Sequence, residues 1–320
     1  MKLPPQLLRP FSVGSKIACK VMLDLTVYLK GPTQAELDFL IELYRQASPT
    51  GSIQRIGLAE FPYWLLASAP ELTRSGRVAA RNGLPEPYLQ PVYRRIREGR
   101  AFELRYWDHV SIADPRGSWS FSCNRIHRRD SGLHSAVRVL APLDTDVVVL
   151  VNLARNIVDN VEFISGHGGL TFAYDPWERL AAFDYIYTQA KRYWGIDIEN
   201  LNLTIPVSNN GIKTVSWLTL FGEGLSAIDT SWPELVKSCA SLSSVDIERG
   251  RRGYLMRLGP EPNVEDMNRP KTVNDAYFEA SRVLEPLFLR EHPRFSGRLF
   301  FENDNTIGWI HRFINPLGWR

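Results

Sequence analysis

Val21-Met22-Leu23-Asp24-Leu25-Thr26-Val27-Tyr28, broken by Gly31-Pro32 and followed by Thr33-Gln34-Ala35-Glu36, places a strand directly before a helix. β-Branched and large apolar residues fill the first run, and Gly-Pro ends it. Thr33 and Glu36 have the spacing of a capping box, in which each side chain accepts the backbone N–H of the other residue. Leu37, Leu40, Ile41 and Tyr44 then recur at helical spacing until Ser48-Pro49-Thr50-Gly51 stops the element.

Working outward, Ala101–Trp107 and Gly117–Cys123 read as a hairpin around Asp114-Pro115-Arg116-Gly117, and residues 74–100 as a helix end plus a basic, irregular connection. Asp146–Val158 fits a strand through Val147-Val148-Val149 and a helical face through Val147, Leu150, Val151, Ala154 and Val158, and the helix is the expectation. Asp175 as N-cap, Pro176 and Glu178 start another, carried by Leu180, Phe183, Tyr187, Ala190 and Trp194 to Gly195. Thr214–Phe221 is expected as a strand, Val245–Ile247 and Gly253–Arg257 as a strand pair, and Val273–Leu289 as an amphipathic helix. Ser165-Gly166-His167-Gly168-Gly169-Leu170 reads as a tight loop for close approach of a ligand or of a packed element, because glycine alone reaches positive φ without cost. Strands and helices intermix without βαβ spacing. The expected class is therefore α+β, with mixed or antiparallel sheets packed by amphipathic helices, in two lobes, 1–140 and 141–320, with one continuous domain as the alternative.

The 320 residues, 44% of them hydrophobic, suffice for a large core. Met1–Gln6 lacks the apolar run of a signal, and no segment approaches the roughly 18 apolar residues of a spanning helix, so the expectation is a cytoplasmic protein off the membrane. Cys19, Cys123 and Cys239 are few, odd and distant, which argues against a disulfide framework. Net charge is +3, unevenly spread: residues 74–140 hold 13 basic against 6 acidic side chains, and residues 141–246 hold 6 against 13. Such blocks either neutralise each other across a contact or present an acidic face to a basic partner.

The six histidines are scattered, with no His-Glu-x-x-His pattern, so neither a metal site nor a cofactor is expected. There is no Gly-x-Ser-x-Gly elbow. His167 reads as a packing histidine, since no carboxylate lies at a telling spacing. Gly222-Glu223-Gly224-Leu225-Ser226-Ala227 fits a dinucleotide fingerprint formally and carries an alternative reading as a nucleotide-binding enzyme. Against it, Glu223 would face the pyrophosphate and Ser231-Trp232-Pro233 shortens the following helix. Basic clusters at Arg94-Arg95-Ile96-Arg97 and Arg249–Arg252 do not outweigh a near-neutral chain, and direct nucleic-acid binding is not expected.

Taken in order, Ser165–Leu170, Ser216-Trp217-Leu218-Thr219-Leu220-Phe221-Gly222 and Trp309-Ile310-His311-Arg312-Phe313 resemble the bacterial type VI secretion immunity family, first catalogued as a domain of unknown function. The resemblance implies a non-enzymatic protein that binds and neutralises a co-encoded effector toxin with a restriction-endonuclease-like nuclease domain. It implies no catalytic residues, and structural roles for Gly166, His167, Gly168, Gly169, Trp217, Gly222 and Trp309. A nuclease presents cations to its phosphate substrate, so an inhibitor gains by offering carboxylates. The acidic section then makes Asp144, Asp146, Asp175, Glu178, Asp197, Glu199 and Glu223 the expected contacts, with Trp177 as aromatic anchor. Binding away from the toxin's active site is an equally lawful alternative.

Overall fold

The computed structural model describes residues 3–48, 55–60, 63–68, 86–107, 119–128, 132–269, 273–302 and 305–319. The expected turn at 114–117 lies outside them. The strands are β1 (Phe11–Val13), β2 (Lys16–Leu29), β3 (Arg55–Glu60), β4 (Tyr63–Ser68), β5 (Phe102–Trp107), β6 (Ser120–Arg128), β7 (Gly132–Ala141), β8 (Ser165–Tyr174), β9 (Ile196–Asp197), β10 (Leu218–Gly222), β11 (Val245–Arg249) and β12 (Gly253–Leu258). Ten of them form one antiparallel path, β11-β12-β10-β8-β2-β7-β6-β5-β3-β4, while β1 pairs with β2 and β9 runs parallel to β8. The helices are α1 (Pro5–Leu8), α2 (Gln34–Ala47), α3 (Glu86–Arg97), α4 (Val147–Asn160), α5 (Arg179–Ala190), α6 (Leu201–Thr204), α7 (Trp232–Ser238), α8 (Ala276–Val283), α9 (Arg298–Glu302), α10 (Asn305–Ile310) and α11 (Pro316–Trp319). The class is α+β, as the mixture of patterns implies. No helix among the described residues is long and apolar enough to cross a membrane.

β2 is the spine of the sheet, bonded to β7 on one side and to β8 on the other. Its alternation divides the sheet into two faces. Cys19, Val21, Leu23, Leu25, Val27 and Leu29 point into the main apolar core, together with Val137, Val139, Leu170 and Phe172 of the neighbouring strands. The amphipathic stripes of α2 (Leu37, Leu40, Ile41, Tyr44) and α4 (Leu150, Val151, Ala154, Ile157, Val158) bury against this core. The capping box of α2 is formed as its sequence demands. Asp24, Thr26 and Tyr28 occupy the alternate positions on the other face, and all three are buried.

Four expectations need correction. The glycine run is the interior strand β8 rather than a loop; Gly166 and Gly168 sit on the apolar face, where a Cβ would press on Val27 and Leu25. Gly169 has φ +147 and stands where β8 changes partner on one edge, from β10 at Gly168 to β9 at Leu170. Residues 86–97 are helical despite Pro91. The expected helix 273–289 is only α8, followed by a 3-10 turn at Glu285–Leu287, because Pro286 cannot donate to the helical ladder. The Asp175 cap opens a 3-10 turn, Pro176–Glu178, and α5 ends at Ala190, ahead of Gly195.

Glu265 is fully buried at φ +50, where its carbonyl accepts the Trp194 N–H and its Oε2 accepts the Asn274 N–H at 2.8 Å. Burial pushes its carboxyl up to about 7. A folded pKa above the unfolded value means that its contribution is complete below about pH 4.5 and is lost as pH rises through 7. Glu265→Gln is therefore expected to flatten the stability profile over this range and to be more stable than the wild type at pH 8, by about 2–4 kcal/mol from the size of the shift. Urea midpoints at pH 5 and pH 8 measure both.

Candidate functional site

The polar face of β2 and β8 meets the segment Ile196–Trp217, which crosses it through β9, α6 and a 3-10 turn at Ile205–Asn210. Between them lies a sealed charged centre. Lys213 Nζ donates to Asp197 Oδ2 at 2.7 Å, to the Ile198 carbonyl at 3.1 Å and to Glu199 Oε2. His167 Nε2 stands 3.0 Å from Asp197 Oδ2 and 3.4 Å from Glu199 Oε2. Tyr28 Oη and Thr204 Oγ1 each donate to Glu199 at 2.7 Å. Alongside, Arg138 grips both oxygens of Asp24 at 3.0–3.2 Å and reaches Thr171. His167, Asp197, Glu199 and Lys213 have side chains at most 5% exposed.

The electrostatics follow from this packing. Burial alone would raise the two carboxylates, but Lys213 and His167 beside them hold both Asp197 and Glu199 below the usual carboxylate range. Burial, and then the Glu199 charge, push the Tyr28 phenol well up. His292, within 3.2 Å of Thr204 Oγ1, is pushed down to about 4 by burial. Asp24, His167 and Asp197 each bring one ligand atom within 4.8 Å of the others, a spacing suited to a cation. The Lys213 ammonium supplies that cation on Asp197, while Arg138 occupies Asp24. His167 thus has carboxylate partners after all, 30 and 32 positions away in the chain, beyond any local spacing.

The remaining expected contacts fall on three turns. Asp144 and Asp146 are exposed before α4, where Asp146 also caps the helix by accepting the Val148 N–H at 2.9 Å. Glu223 is exposed after β10. Asp175, Trp177 and Glu178 share the turn before α5: Trp177 is 82% exposed, Glu178 pairs with Lys16 at 3.5 Å, and Asp175 is buried with Oδ1 accepting the Trp177 N–H. Asp175, Asp197 and Glu199 therefore offer no surface to a partner, because their oxygens serve the interior. Trp217 and Trp309 are buried; Trp217 Nε1 donates to the Gly259 carbonyl, and Trp309 carries the Arg312 guanidinium at 4.1 Å over its ring. Gly222 packs against the Phe163 carbonyl, and a short 3-10 turn, Glu223–Ala227, follows it.

Leu180, expected on the apolar stripe of α5, is 68% exposed. The helix buries Ala182, Phe183, Ile186 and Ala190 instead. Leu180 lines a groove of about 520 Å³ with Arg294, Phe295, Arg298 and the 62% exposed Phe301.

No curated protein matches this chain. The solved structure of the Pseudomonas aeruginosa T6SS protein PA0821 is similar with a TM-score of 0.66 at 17% identity, covering 97% of this chain and 88% of that one, a likeness of fold. Residues 129–313 match the family model TsiV, described as type VI immunity for VRR-NUC. That match spans more than half of the chain, from the start of β7 through the charged centre to Phe313, and the chain belongs to the TsiV family of type VI immunity proteins for VRR-NUC nuclease toxins.

Proposed function

We propose that this immunity protein works in the cytoplasm, without catalysis of its own, by binding its VRR-NUC toxin directly and covering the toxin's phosphate-binding surface. Residues 1–140 and 141–320 act in this reading as two lobes of one binding unit. The observation that carries the reading is Trp177, a large aromatic side chain left 82% exposed on a short capped turn. Such residues supply most of the affinity where proteins dock. Exposed acids at Asp144, Asp146 and Glu223, with Glu178 beside Trp177, offer complementary charge to a surface built for phosphates. The lack of chemistry is supported by closure: His167, Lys213, Asp197 and Glu199 lie where no substrate reaches them.

Co-expression with the toxin domain, co-purification and a titrated DNA-cleavage assay test neutralisation; stoichiometric loss of cleavage is expected, and unimpeded cleavage with no complex overturns it. Electrostatic attraction acts chiefly on the association rate. The variant Asp144→Lys/Glu223→Lys is expected to associate about tenfold more slowly at low salt, the gap closing as salt screens the charges. Equal association rates in stopped flow would remove these acids from the interface.

A further inference from the structure

After β12 the chain runs back over the end of α5, and its first stretch, Gly259–Arg269, is strapped to the turn that follows that helix. The Gly195 N–H donates to the Val264 carbonyl at 2.9 Å, the Trp194 N–H to that of Glu265 at 3.2 Å, and the Met267 N–H to that of Arg192 at 2.9 Å. Arg192 also grips both oxygens of Asp266 at 2.8 Å. The Gly259 carbonyl accepts Trp217 Nε1 at 3.1 Å, and Pro262 packs at Gly169, where β8 changes partner. Contact beneath the strap is close, since a Cβ on Gly195 would collide with the Asn263 carbonyl and Glu265 Cγ. The turn so covered leads directly into β9 and Asp197 of the charged centre.

Glu265 occupies the middle of this strap under two kinds of stress. Its backbone has φ +50, a left-handed conformation that crowds its own Cβ. Its side chain is fully buried: Oε2 accepts the Asn274 N–H at 2.8 Å, the Asn263 side chain donates to the same carboxyl, and Oε1 has no hydrogen-bond partner among the described residues. The groups that face it offer no positive charge. Asp275, ahead of α8, is of like sign, and the Tyr277 phenol of α8 is buried with its oxygen unpartnered among the described residues. Arg192 is committed to Asp266, and Arg312, which acts on Tyr277, to the Trp194 and Trp309 carbonyls. A carboxyl enclosed without a cation is stable only while it holds its proton. Lifting the strap would hydrate the ionised group at the cost of a few hydrogen bonds, far fewer than unfolding the sheet. We infer that Gly259–Arg269 is a proton-controlled strap: with Glu265 protonated it lies closed over Arg192–Gly195, and ionisation of Glu265 releases it locally, uncovering the junction of Gly169 and Trp217 while the sheet stays folded. This device is separate from toxin neutralisation and does not depend on it.

Amide hydrogen exchange of the full chain between pH 5 and pH 8 tests the strap, with wild type and Glu265→Gln compared after correction for the intrinsic pH dependence of exchange. The reporters are the N–H groups of Trp194, Gly195, Met267 and Asn274, while those of the β2–β8 ladder report the whole fold. Burial pushes the Glu265 carboxyl up to about 7 from 4.5. The closed strap is therefore favoured at low pH, and opening grows about tenfold per pH unit until pH 7 is reached. Wild-type opening at the reporters is expected to increase about 100-fold from pH 5 to pH 7 and then level off, always faster than in the ladder, and to stay flat in Glu265→Gln. Opening that is independent of pH in the wild type overturns the strap. Reporters that exchange as slowly as the ladder also overturn it, because Glu265 then titrates only with the whole fold. An equal rise in Glu265→Gln assigns the titration to Asp275 or Asp266 and overturns it as well. Should Glu265→Gln not fold, the wild-type contrast between reporters and ladder decides alone.

Discussion

Lys213→Met is expected to lose about 3–5 kcal/mol of stability at neutral pH, the cost of removing one partner from a buried ion pair. The loss comes from what remains. Asp197 and Glu199 have side chains 5% and 0% exposed, and the ammonium between them donates to both. Methionine fills nearly the same volume but leaves two carboxylates facing each other in the interior. The pH dependence carries the sign that identifies the cause. In the wild type both groups have folded pKa values depressed by Lys213 and His167, so their contribution is present above the unfolded carboxylate range and is lost as pH falls. His292, pushed down to about 4, works in the same direction, because its unfolded form takes up a proton between pH 6.5 and 4 where the folded form resists. Without Lys213 burial dominates and raises the carboxylates, so protonation then favours the folded state. The gap between variant and wild type should therefore narrow from pH 7.5 to pH 4.5 in urea titrations. A second change, Glu199→Gln, should recover part of the loss in the double variant, since one of the stranded charges is gone. A gap that is constant with pH would mean that Lys213 contributes packing rather than charge.

Much of the architecture was legible because it is local. The capping box at Thr33 and Glu36 and the stripe Leu37–Tyr44 each specify their element within a few residues, and each is formed. The charged centre is assembled by register, which no short window contains. Thr26 opposite His167 across β2 and β8, and Thr171 opposite Asp197 across β8 and β9, join residues up to 141 positions apart. A signal was nevertheless present. Asp24 and Thr26 alternate with Leu23, Leu25 and Val27 in a strand too apolar to face water, and a buried carboxylate requires a cationic or hydrogen-bonding partner. Asp197 and Glu199 around Ile198 repeat the pattern. The glycine run was misread because its φ > 0 position, Gly169, marks a change of strand partner, a demand that looks like a loop's when seen without the sheet. Leu180 was misplaced for the opposite reason: helical spacing names a stripe, but what covers its first turn is decided by segment 294–301, more than a hundred residues away.

Gly222→Ala is expected to destabilise the fold by about 3 kcal/mol or more, a fall in thermal midpoint of roughly 5–10 °C, although a single methyl group is added. Gly222 pairs with Gly253 across β10 and β12, and its own N–H donates to the Ile164 carbonyl at 2.9 Å. A Cβ there would stand 2.1 Å from the Phe163 carbonyl oxygen, and one on Gly253 would stand 2.0 Å from that of Phe221. Both obstacles are main-chain atoms of buried residues, so neither can give way as the tip of a flexible side chain would. The same position separates the two meanings of Gly222-Glu223-Gly224. If the glycines cleared space for a pyrophosphate, nucleotide would raise the wild-type midpoint by mass action, and Gly222→Ala would mainly cost affinity. With the chain's own backbone already in that space, nucleotides should leave the wild-type midpoint where it is, and the variant should be unstable with or without them. A nucleotide-dependent rise in the wild type, together with a variant of normal stability, would overturn this account of the turn. The opposite pair of results makes the glycines a packing device that lets Phe163 and Ile164 lie against the end of the sheet.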